Sequence, residues 1–209
     1  KRFVQIGSSE VYGSPETPAK ETDLLNPTSP YSVSKAAFDL YLQSMFRTAA
    51  FPMNIVRPSN CYVDGQQLHR VIPKAILCGL KGEKLKLHGG GKAEKSYMHA
   101  YDLSTAILKI IEEAPLGAVY NVGPNGPVTI RQVVGLVALR LGMKDISQLA
   151  EDAPDRLGQD ARYHLDCSAI KALGWKQEIG LDFGIQQMVV WVRHYPELLT
   201  MPTTYEHRR

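Results

Sequence analysis

Residues 1–13 read KRFVQIGSSEVYG, an apolar run followed by a polar loop. Phe3, Val4 and Ile6 form a short apolar run, which predicts a buried strand. The run ends at Gly7, where the chain passes into a polar loop. Ligands of α/β proteins bind at the carboxyl ends of strands, so this loop is the first place to look for a functional site.

Further along, Ser29-Pro30 predicts a helix start, with Ser29 as N-cap and Pro30 at the first helical position. The helix is predicted to continue to about Ala49. The next strand is predicted over 53–57 and is stopped by Pro58. Strands that alternate with helices indicate an α/β fold with a largely parallel sheet. The alternation becomes irregular after residue 60, which predicts a smaller interleaved domain.

The rest of the chain continues in short elements. Further helices are predicted over about 73–80, from Asp102 as N-cap to about 113, from Thr129 to about 141, from Ser168 to about 174, and over 180–195. Extended segments are predicted at 85–88, 96–100, 120–122 and 162–165. The triplet Gly89-Gly90-Gly91 is interpreted as a turn with positive φ and not as a phosphate loop, since no nucleotide-binding strand and helix flank it.

Composition excludes several classes of partner. The net charge is +3 over 209 residues, and no stretch concentrates Lys and Arg, so nucleic acid is not expected as a partner. No apolar run approaches the roughly 20 residues that span a bilayer. The three cysteines, Cys61, Cys78 and Cys167, form no disulfide or metal pattern, which predicts a cytoplasmic protein. The six histidines share no ligand spacing, so no metal site is expected.

Tyr31 and Lys35 lie four residues apart on the predicted helix, so their side chains leave the same face. An ammonium group near a phenol favours the phenolate form, which can accept a proton. Taken alone the pair is a weak signal, because a surface Tyr and Lys one turn apart are common.

The motifs that precede and follow Tyr31 and Lys35 make this signal specific. In order they are Gly7-Ser8-Ser9-Glu10-Val11-Tyr12-Gly13, Glu21, Pro27, Ser29-Pro30-Tyr31-Ser32-Val33-Ser34-Lys35, Arg57-Pro58-Ser59-Asn60, Gly89-Gly90-Gly91, Tyr97-Met98-His99, Tyr120-Asn121-Val122-Gly123, Asp155-Arg156-Leu157-Gly158-Gln159-Asp160, Arg162-Tyr163 and Leu173-Gly174-Trp175. This series resembles the extended short-chain dehydrogenase/reductases of the NAD-dependent epimerase/dehydratase family. Within them it is most similar to the nucleotide-sugar 4,6-dehydratases, with dTDP-glucose 4,6-dehydratase as the nearest type.

The resemblance implies NAD as cofactor, a nucleotide sugar as substrate, and a role for each motif residue. Tyr31 takes the proton of the sugar 4-hydroxyl, while Lys35 supports the Tyr31 phenolate and holds the nicotinamide ribose. Ser8 hydrogen-bonds the 4-oxygen, and Glu10 removes the C5 proton as general base. The dTDP-glucose enzymes have an Asp where this chain has Ser9, and a serine can relay or orient a proton but is not a comparable acid.

The resemblance also implies substrate-binding residues. Asn60 and Arg156 match positions that hold the diphosphate and nucleoside, although Asn60 could instead cap a strand and Arg156 could be a solvated loop residue. Lys95 stands where an Arg commonly meets the phosphates, and lysine lacks the bidentate contact. The segment from Leu85 to His88 matches the part that surrounds the nucleobase, largely through its backbone.

The glycine-rich dinucleotide fingerprint and the acidic ribose-binding residue do not occur in these 209 residues. The chain is therefore expected to be a fragment that holds the C-terminal part of a Rossmann-type domain. That part is assigned to 1–62 and 96–123. The sugar-nucleotide-binding domain is assigned to 63–95 and 124–209, interleaved with the first.

The sequence is compatible with three functions. The first is a nucleotide-sugar 4,6-dehydratase. The second is a sugar-nucleotide 4-epimerase or a UDP-glucuronate decarboxylase, which share the 4-keto intermediate. The third is a non-catalytic sugar-nucleotide-binding protein that lacks NAD. A homodimer is also expected, since the helix face of Ala37, Leu40, Tyr41 and Met45 is apolar. Packing of that face against the sheet explains these residues equally well.

Overall fold

The computed structural model describes residues 1–155 and 162–204. Its helices are α1 (Pro30–Ala49), α2 (Val71–Lys81), α3 (Ala100–Glu113), α4 (Ile130–Arg140), α5 (Ser168–Ala172) and α6 (Leu181–His194). Its strands are β1 (Phe3–Ile6), β2 (Met53–Pro58), β3 (Asn60–Tyr62), β4 (Leu85–His88), β5 (Glu94–Lys95), β6 (Tyr97–His99), β7 (Val119–Val122), β8 (Val128–Thr129) and β9 (Ala150–Ala153). Short 3-10 turns cover Ser9–Tyr12, Gly89–Gly91, Ile146–Gln148 and Pro196–Thr200. The predicted α/β class is confirmed.

Over the described ranges, no helix has both the length and the apolar character that crossing a membrane requires.

The described residues divide into two compact units, each built from three separate stretches of chain. The first unit comprises 1–61, 94–127 and 162–179, and the second comprises 62–93, 128–155 and 180–204. The two units alternate along the sequence. The sheet of the first unit is parallel and has the order β1-β2-β7, with Phe3 beside Met53 and Ile55 beside Val119. All three strands end at the same edge of this sheet, where Gly7 follows β1.

Helix α1 begins and ends close to its predicted positions because its start is fixed locally. The Ser29 hydroxyl accepts a hydrogen bond from the Ser32 N–H at 3.1 Å, and the Ser32 hydroxyl accepts one from the Ser29 N–H at 2.9 Å. The buried residues of the helix are Ser32, Ala36, Asp39 and Leu42. Leu40 and Tyr41 are 53% and 56% exposed. The prediction that they pack against the sheet is therefore wrong for both.

The start of α3 corrects a second prediction. Its N-cap is His99, whose Nδ1 accepts a hydrogen bond from the Tyr101 N–H at 3.2 Å. Asp102 lies in the first helical turn and is fully buried. Its carboxylate accepts hydrogen bonds from the backbone N–H groups of Glu178, at 2.8 Å, and Ile179, at 3.2 Å. Asp102 thus holds a distant segment in place and does not cap its own helix.

One compact unit differs in extent from the domain assigned to it in the sequence. Residues 162–179, which were assigned to the second domain, lie in the first unit. Ile170 and Trp175 are buried in the core of that unit together with Val56 and Val122. The Trp175 Nε1–H also donates to the Asp102 carbonyl at 3.2 Å. Residues 94–95 and 124–127 belong to the first unit as well.

In the second unit, helices α2, α4 and α6 pack together, and β4 and β9 form a parallel pair. Helix α2 can approach its neighbours closely at Gly79, where an added Cβ would lie 2.4 Å from the Leu141 Cδ1. The triple glycine has φ angles of 58°, 66° and 68° at its three positions. The predicted turn with positive φ is therefore confirmed. The Gly90 carbonyl accepts a hydrogen bond from the Arg131 Nε at 2.8 Å, which ties the turn to α4.

Candidate active site

The loop after β1 forms a single 3-10 turn that orders the predicted motif. Ser8 is its N-cap, and the Ser8 hydroxyl oxygen accepts a hydrogen bond from the Glu10 N–H at 3.2 Å. Ser8 and Ser9 are buried, whereas Glu10 is half-buried. This bond uses an acceptor site of the Ser8 hydroxyl. A hydroxyl group also carries one donor proton, so Ser8 can at the same time donate to another oxygen.

Tyr31 and Lys35 occupy the first turns of α1. The Lys35 Nζ lies 5.8 Å from the centre of the Tyr31 ring, so the predicted shared face is confirmed. The same Nζ donates a hydrogen bond to the Ile6 carbonyl at 3.0 Å. Ile6 is the last residue of β1, and Ser8 follows two residues later. Lys35 therefore connects its helix directly to the strand that leads into the Ser8–Glu10 turn.

A buried cluster for which no role was predicted includes the last residue of this turn. It consists of Tyr12, Asp39, Arg57 and Asn121, which are at most 4% exposed. Burial raises the pKa of the Tyr12 phenol, which keeps it protonated, and its hydroxyl donates to the Asn121 Oδ1 at 2.8 Å. Burial also raises the pKa of the Asp39 carboxyl, although Arg57 and Lys35 oppose this effect. Asp39 is the residue that could have revealed this cluster in the sequence. It follows Ala36 by three residues and therefore lies on the same face of α1, which is buried.

Two of the predicted substrate-binding residues lie in the same unit as the turn and the Tyr31 helix. Asn60 is the first residue of β3, and its backbone N–H donates to the Ser96 carbonyl at 3.0 Å. Lys95 is only 6% exposed, and its Nζ lies 3.5 Å from the centre of the Tyr163 ring. The Tyr163 ring holds the Lys95 ammonium group in place, because the face of an aromatic ring attracts cations.

The remaining predicted binding residues are placed differently. Leu85 and His88 begin and end β4, in the second unit. The Leu85 side chain is buried and its backbone N–H donates to the Leu149 carbonyl at 2.8 Å, whereas the His88 Nδ1 lies 2.9 Å from the Pro154 carbonyl oxygen. Arg156 lies outside the described residues. The structure thus places Ser8, Ser9, Glu10, Tyr31, Lys35, Asn60 and Lys95 in one unit, and Leu85 and His88 in the other.

Two cysteines of the first unit have thiols whose pKa is raised by burial. Burial raises the pKa of Cys61 to about 11 and that of Cys167 to about 12, so these thiols stay protonated at neutral pH. A protonated thiol is a poor nucleophile and a poor metal ligand. Among residues 1–155 and 162–204, no group of three or more His, Cys, Asp or Glu side chains could hold a metal ion.

Comparison with known proteins gives a consistent picture. The model of the NAD dependent epimerase/dehydratase family matches residues 1–123. A dTDP-glucose 4,6-dehydratase of Haemophilus influenzae is 34% identical over 203 residues, which cover 91% of this chain and 60% of that protein. The crystal structure of a dTDP-glucose 4,6-dehydratase from Streptomyces venezuelae with NAD bound superposes with a TM-score of 0.87. Its identity is 30%, and the match covers 94% of this chain and 61% of that one.

A second enzyme type is also similar. The UDP-glucose 4-epimerase of Thermotoga maritima superposes with a TM-score of 0.85 at 25% identity, over 93% of this chain and 64% of that one. The chain spans 30% to 60% of the length of the curated relatives that it matches.

Proposed function

This chain belongs to the NAD dependent epimerase/dehydratase family, and on that premise we propose that it carries the catalytic residues of an NAD-dependent nucleotide-sugar 4,6-dehydratase. One observation carries the proposal. The hydrogen bond from Lys35 to the Ile6 carbonyl brings the Tyr31 helix to the end of β1, where the Ser8–Glu10 turn begins. The two halves of the predicted site therefore meet at the carboxyl edge of a parallel sheet, where α/β proteins bind their ligands.

The residues at this edge fit the nicotinamide ribose of NAD. An ammonium group has three donors, and one hydrogen bond to Ile6 leaves Lys35 with donors for the ribose hydroxyls. Tyr31 is 51% exposed, so its phenol is open to a ligand. Ser59, just after β2, is buried and its Oγ has no hydrogen-bond partner among the described residues. Ser59 follows the carboxyl end of β2, at the same edge of the sheet as the Ser8–Glu10 turn. When bound, NAD would take up the hydride from C4 of the sugar and return it at C6.

We propose that Tyr31 accepts the proton of the 4-hydroxyl during oxidation. Lys35 places its positive charge on the same face of the helix, with its Nζ 5.8 Å from the centre of the Tyr31 ring. Ser8 donates a hydrogen bond from its hydroxyl to the sugar 4-oxygen and so fixes the distance of that oxygen from Tyr31. The Ser8 oxygen is itself held by the Glu10 N–H, which limits the rotation of the side chain.

Elimination of water across C5–C6 is assigned to the adjacent residues of the turn. The ketone at C4 acidifies the C5 proton, and Glu10 removes it as general base. Glu10 is half-buried, whereas Ser9 is 3% exposed. Ser9 relays to the departing 6-hydroxyl the proton that Glu10 has taken from C5, so that the hydroxyl leaves as water. Ser9 is not itself the acid, because a serine hydroxyl is not acidic at neutral pH.

Substrate binding is proposed for five residues. Lys95 meets the diphosphate, with its ammonium held over the Tyr163 ring. Asn60 and Arg156 contact the diphosphate and nucleoside, and Leu85 and His88 surround the nucleobase. On this basis the first unit is the C-terminal part of the NAD-binding domain, and the second unit is the main part of the sugar-nucleotide-binding domain.

The function is tested by incubating the full-length protein with several nucleotide hexoses in deuterated water. A 4,6-dehydratase yields a nucleotide-linked 4-keto-6-deoxy sugar with solvent deuterium at C5, which NMR detects directly. If no hexose gives a product with deuterium at C5, the dehydratase assignment fails.

The same assay resolves the alternatives. A 4-epimerase would give the 4-epimer without deuterium at C5, and a decarboxylase would convert UDP-glucuronate to a UDP-pentose. The epimerase alternative is favoured by Ser9, which lacks the acidity that loss of the 6-hydroxyl calls for, and by the similarity to the Thermotoga enzyme. A full-length protein with no bound NAD by native mass spectrometry, and no turnover, would instead be a binding protein.

We also propose that the full-length protein is a homodimer that pairs its α1 helices. Phe38, Leu40 and Tyr41 are exposed, and the rings of Phe38 and Tyr41 stack with their centres 5.9 Å apart. Sedimentation velocity at micromolar concentration is expected to show a dimer, which Leu40→Lys should shift toward monomer because it places a charge in the apolar interface. Leu139→Lys, at a 61% exposed leucine of α4, is the matched control. A monomer in the unsubstituted protein would contradict the dimer.

A cytoplasmic location is proposed as well, because Cys61, Cys78 and Cys167 form no disulfide among the described residues, as is usual in a reducing compartment. Recovery of the protein outside the cytoplasmic fraction of its cells would contradict this.

A further inference from the structure

Four side chains from four segments of the first unit form a buried hydrogen-bonded cluster, and two of them contact the guanidinium group of the third, Arg57. Arg57, near the end of β2, is 1% exposed. Its Nε donates to the Asp39 Oδ2 at 2.8 Å, and its Nη1 donates to the Tyr12 hydroxyl at 2.6 Å. The Tyr12 hydroxyl in turn donates to the Asn121 Oδ1 of β7. Arg57 Nη1 also reaches the Glu21 carbonyl at 3.3 Å.

The cluster continues into the surrounding backbone. The Asn121 backbone N–H donates to a Glu21 carboxylate oxygen at 2.8 Å, and the Asn121 Nδ2 donates to the Ala19 carbonyl at 2.9 Å. The guanidinium carbon lies 5.0 Å from the centre of the Tyr12 ring, so Arg57 contacts both the face and the hydroxyl of this tyrosine. The position of Tyr12 is therefore fixed at two points.

Two residues of the cluster, Tyr12 and Asp39, connect it to the candidate active site. Tyr12 is the last residue of the 3-10 turn that carries Ser9 and Glu10. Asp39 lies one helical turn after Lys35 on α1 and points to the interior. Arg57 thus binds the turn at one end of its guanidinium group and the Tyr31 helix at the other.

The chain closes the turn tightly around Tyr12. The Gly13 N–H donates to the Glu10 carbonyl at 3.2 Å, and the Asn26 N–H donates to the Val11 carbonyl at 2.9 Å. Gly13 has a φ of 68°, and an added Cβ there would lie 2.5 Å from the Asn26 carbonyl oxygen. These two amide groups report directly on whether the turn is in place.

We propose that Arg57 is a positioning residue for the reaction: clamped between Asp39 and Tyr12, it sets the Ser8–Glu10 turn relative to the Tyr31–Lys35 helix. This inference rests on the proposed function, since it concerns the spacing of the residues to which catalysis is assigned. Stability alone is a weak reason for such a cluster, because well-packed apolar residues can replace a buried ion pair without loss. Spacing is a stronger reason, since a displacement of about 1 Å can lower a reaction rate by about 10²-fold.

The first test is Tyr12→Phe in the full-length protein. This variant keeps the buried ring but removes the hydroxyl that joins Arg57 to Asn121. We expect kcat per active site to fall by about ten- to hundredfold with KM changed less than about twofold, since the hydroxyl touches no substrate. Tyr120→Phe, at a buried tyrosine beside Asn121 but outside the cluster, should leave kcat unchanged.

Hydrogen exchange provides a readout that does not depend on activity. In Tyr12→Phe the Gly13 and Asn26 amide protons should exchange roughly fivefold faster or more, because one buried hydrogen bond no longer holds the turn. Amide protons in the middle of α1 should keep their wild-type rates. If the wild-type protein converts no nucleotide hexose, the proposed function fails, and the exchange rates still decide whether the cluster holds the turn.

A second variant separates spacing from stability. In D39L/R57M both charges are replaced by apolar side chains, so no buried charge is left without its partner and the fold should be retained. We expect this variant to melt cooperatively and to show the same loss of kcat and the same faster exchange at Gly13 and Asn26. If it folds and retains the wild-type kcat and exchange rates, the proposal is overturned. If it fails to fold, Tyr12→Phe decides alone, and unchanged kcat and exchange in that variant overturn the proposal.

Discussion

Replacing Tyr31 by phenylalanine in the full-length protein is expected to lower kcat by about 10²- to 10⁴-fold, the usual contribution of general acid–base catalysis. Phenylalanine retains the ring but has no hydroxyl oxygen to accept the proton of the sugar 4-hydroxyl. Tyr31 is 51% exposed, so the free energy of unfolding should change by less than about 0.5 kcal/mol. The measurement is the initial rate of nucleotide-hexose conversion under saturating substrate and NAD.

The matched control for this variant is Tyr101→Phe. Tyr101 lies in the first turn of α3 and is 47% exposed, so it offers a similar environment without a place in the proposed site. Its kcat should equal that of the wild type. If Tyr31→Phe also retains at least a tenth of the wild-type kcat, another group must take the proton, and the assignment of Tyr31 is wrong.

The elements that could be predicted from the sequence are those fixed by neighbouring residues. Helix α1 begins where Ser29 and Pro30 predict, because its capping bonds connect residues only three apart. The same holds for Thr129, whose hydroxyl accepts from the Gln132 N–H at the start of α4. The contact of Tyr31 and Lys35 follows from helix geometry alone. In these cases residues close together in the sequence were sufficient to predict the structure.

Features that depend on distant contacts could not be predicted in this way. Asp102 has the residue type of an N-cap, yet it serves Glu178 and Ile179, which follow it by more than 70 residues. That contact also places 162–179 in the first unit and not in the second. No local pattern distinguishes a carboxylate that caps its own helix from one that holds another segment.

The Arg57 cluster shows the same limit in the site itself. Arg57 joins residues that are 18 and 45 positions away, and Tyr12 joins one that is 109 positions away. Each side chain taken singly has an ordinary explanation in the sequence, as part of a strand, a helix or a loop. Only their convergence in a buried space shows that they act together.

The other large effect is expected for Glu10→Gln, because a glutamine amide has nearly the shape of the carboxylate but cannot accept the C5 proton. We expect the rate of dehydration, followed by deuterium incorporation at C5, to fall by about 10²- to 10⁴-fold. Oxidation at C4 should continue, since it is assigned to Tyr31 and Lys35. A nucleotide-linked 4-keto hexose that retains its 6-hydroxyl should then be present and can be trapped with borodeuteride as label at C4.

Glu16→Gln is the matched control, since Glu16 is an exposed carboxylate six residues further along the same connection. It should dehydrate substrate at the wild-type rate. The trapped intermediate is the decisive observation, because it separates the two steps that the turn and the helix are proposed to share. If Glu10→Gln instead dehydrates at the wild-type rate, the base lies elsewhere. If it loses oxidation at C4 as well, Glu10 acts on the whole site and not at C5 alone, and the division of labour between the Ser8–Glu10 turn and the Tyr31 helix is refuted.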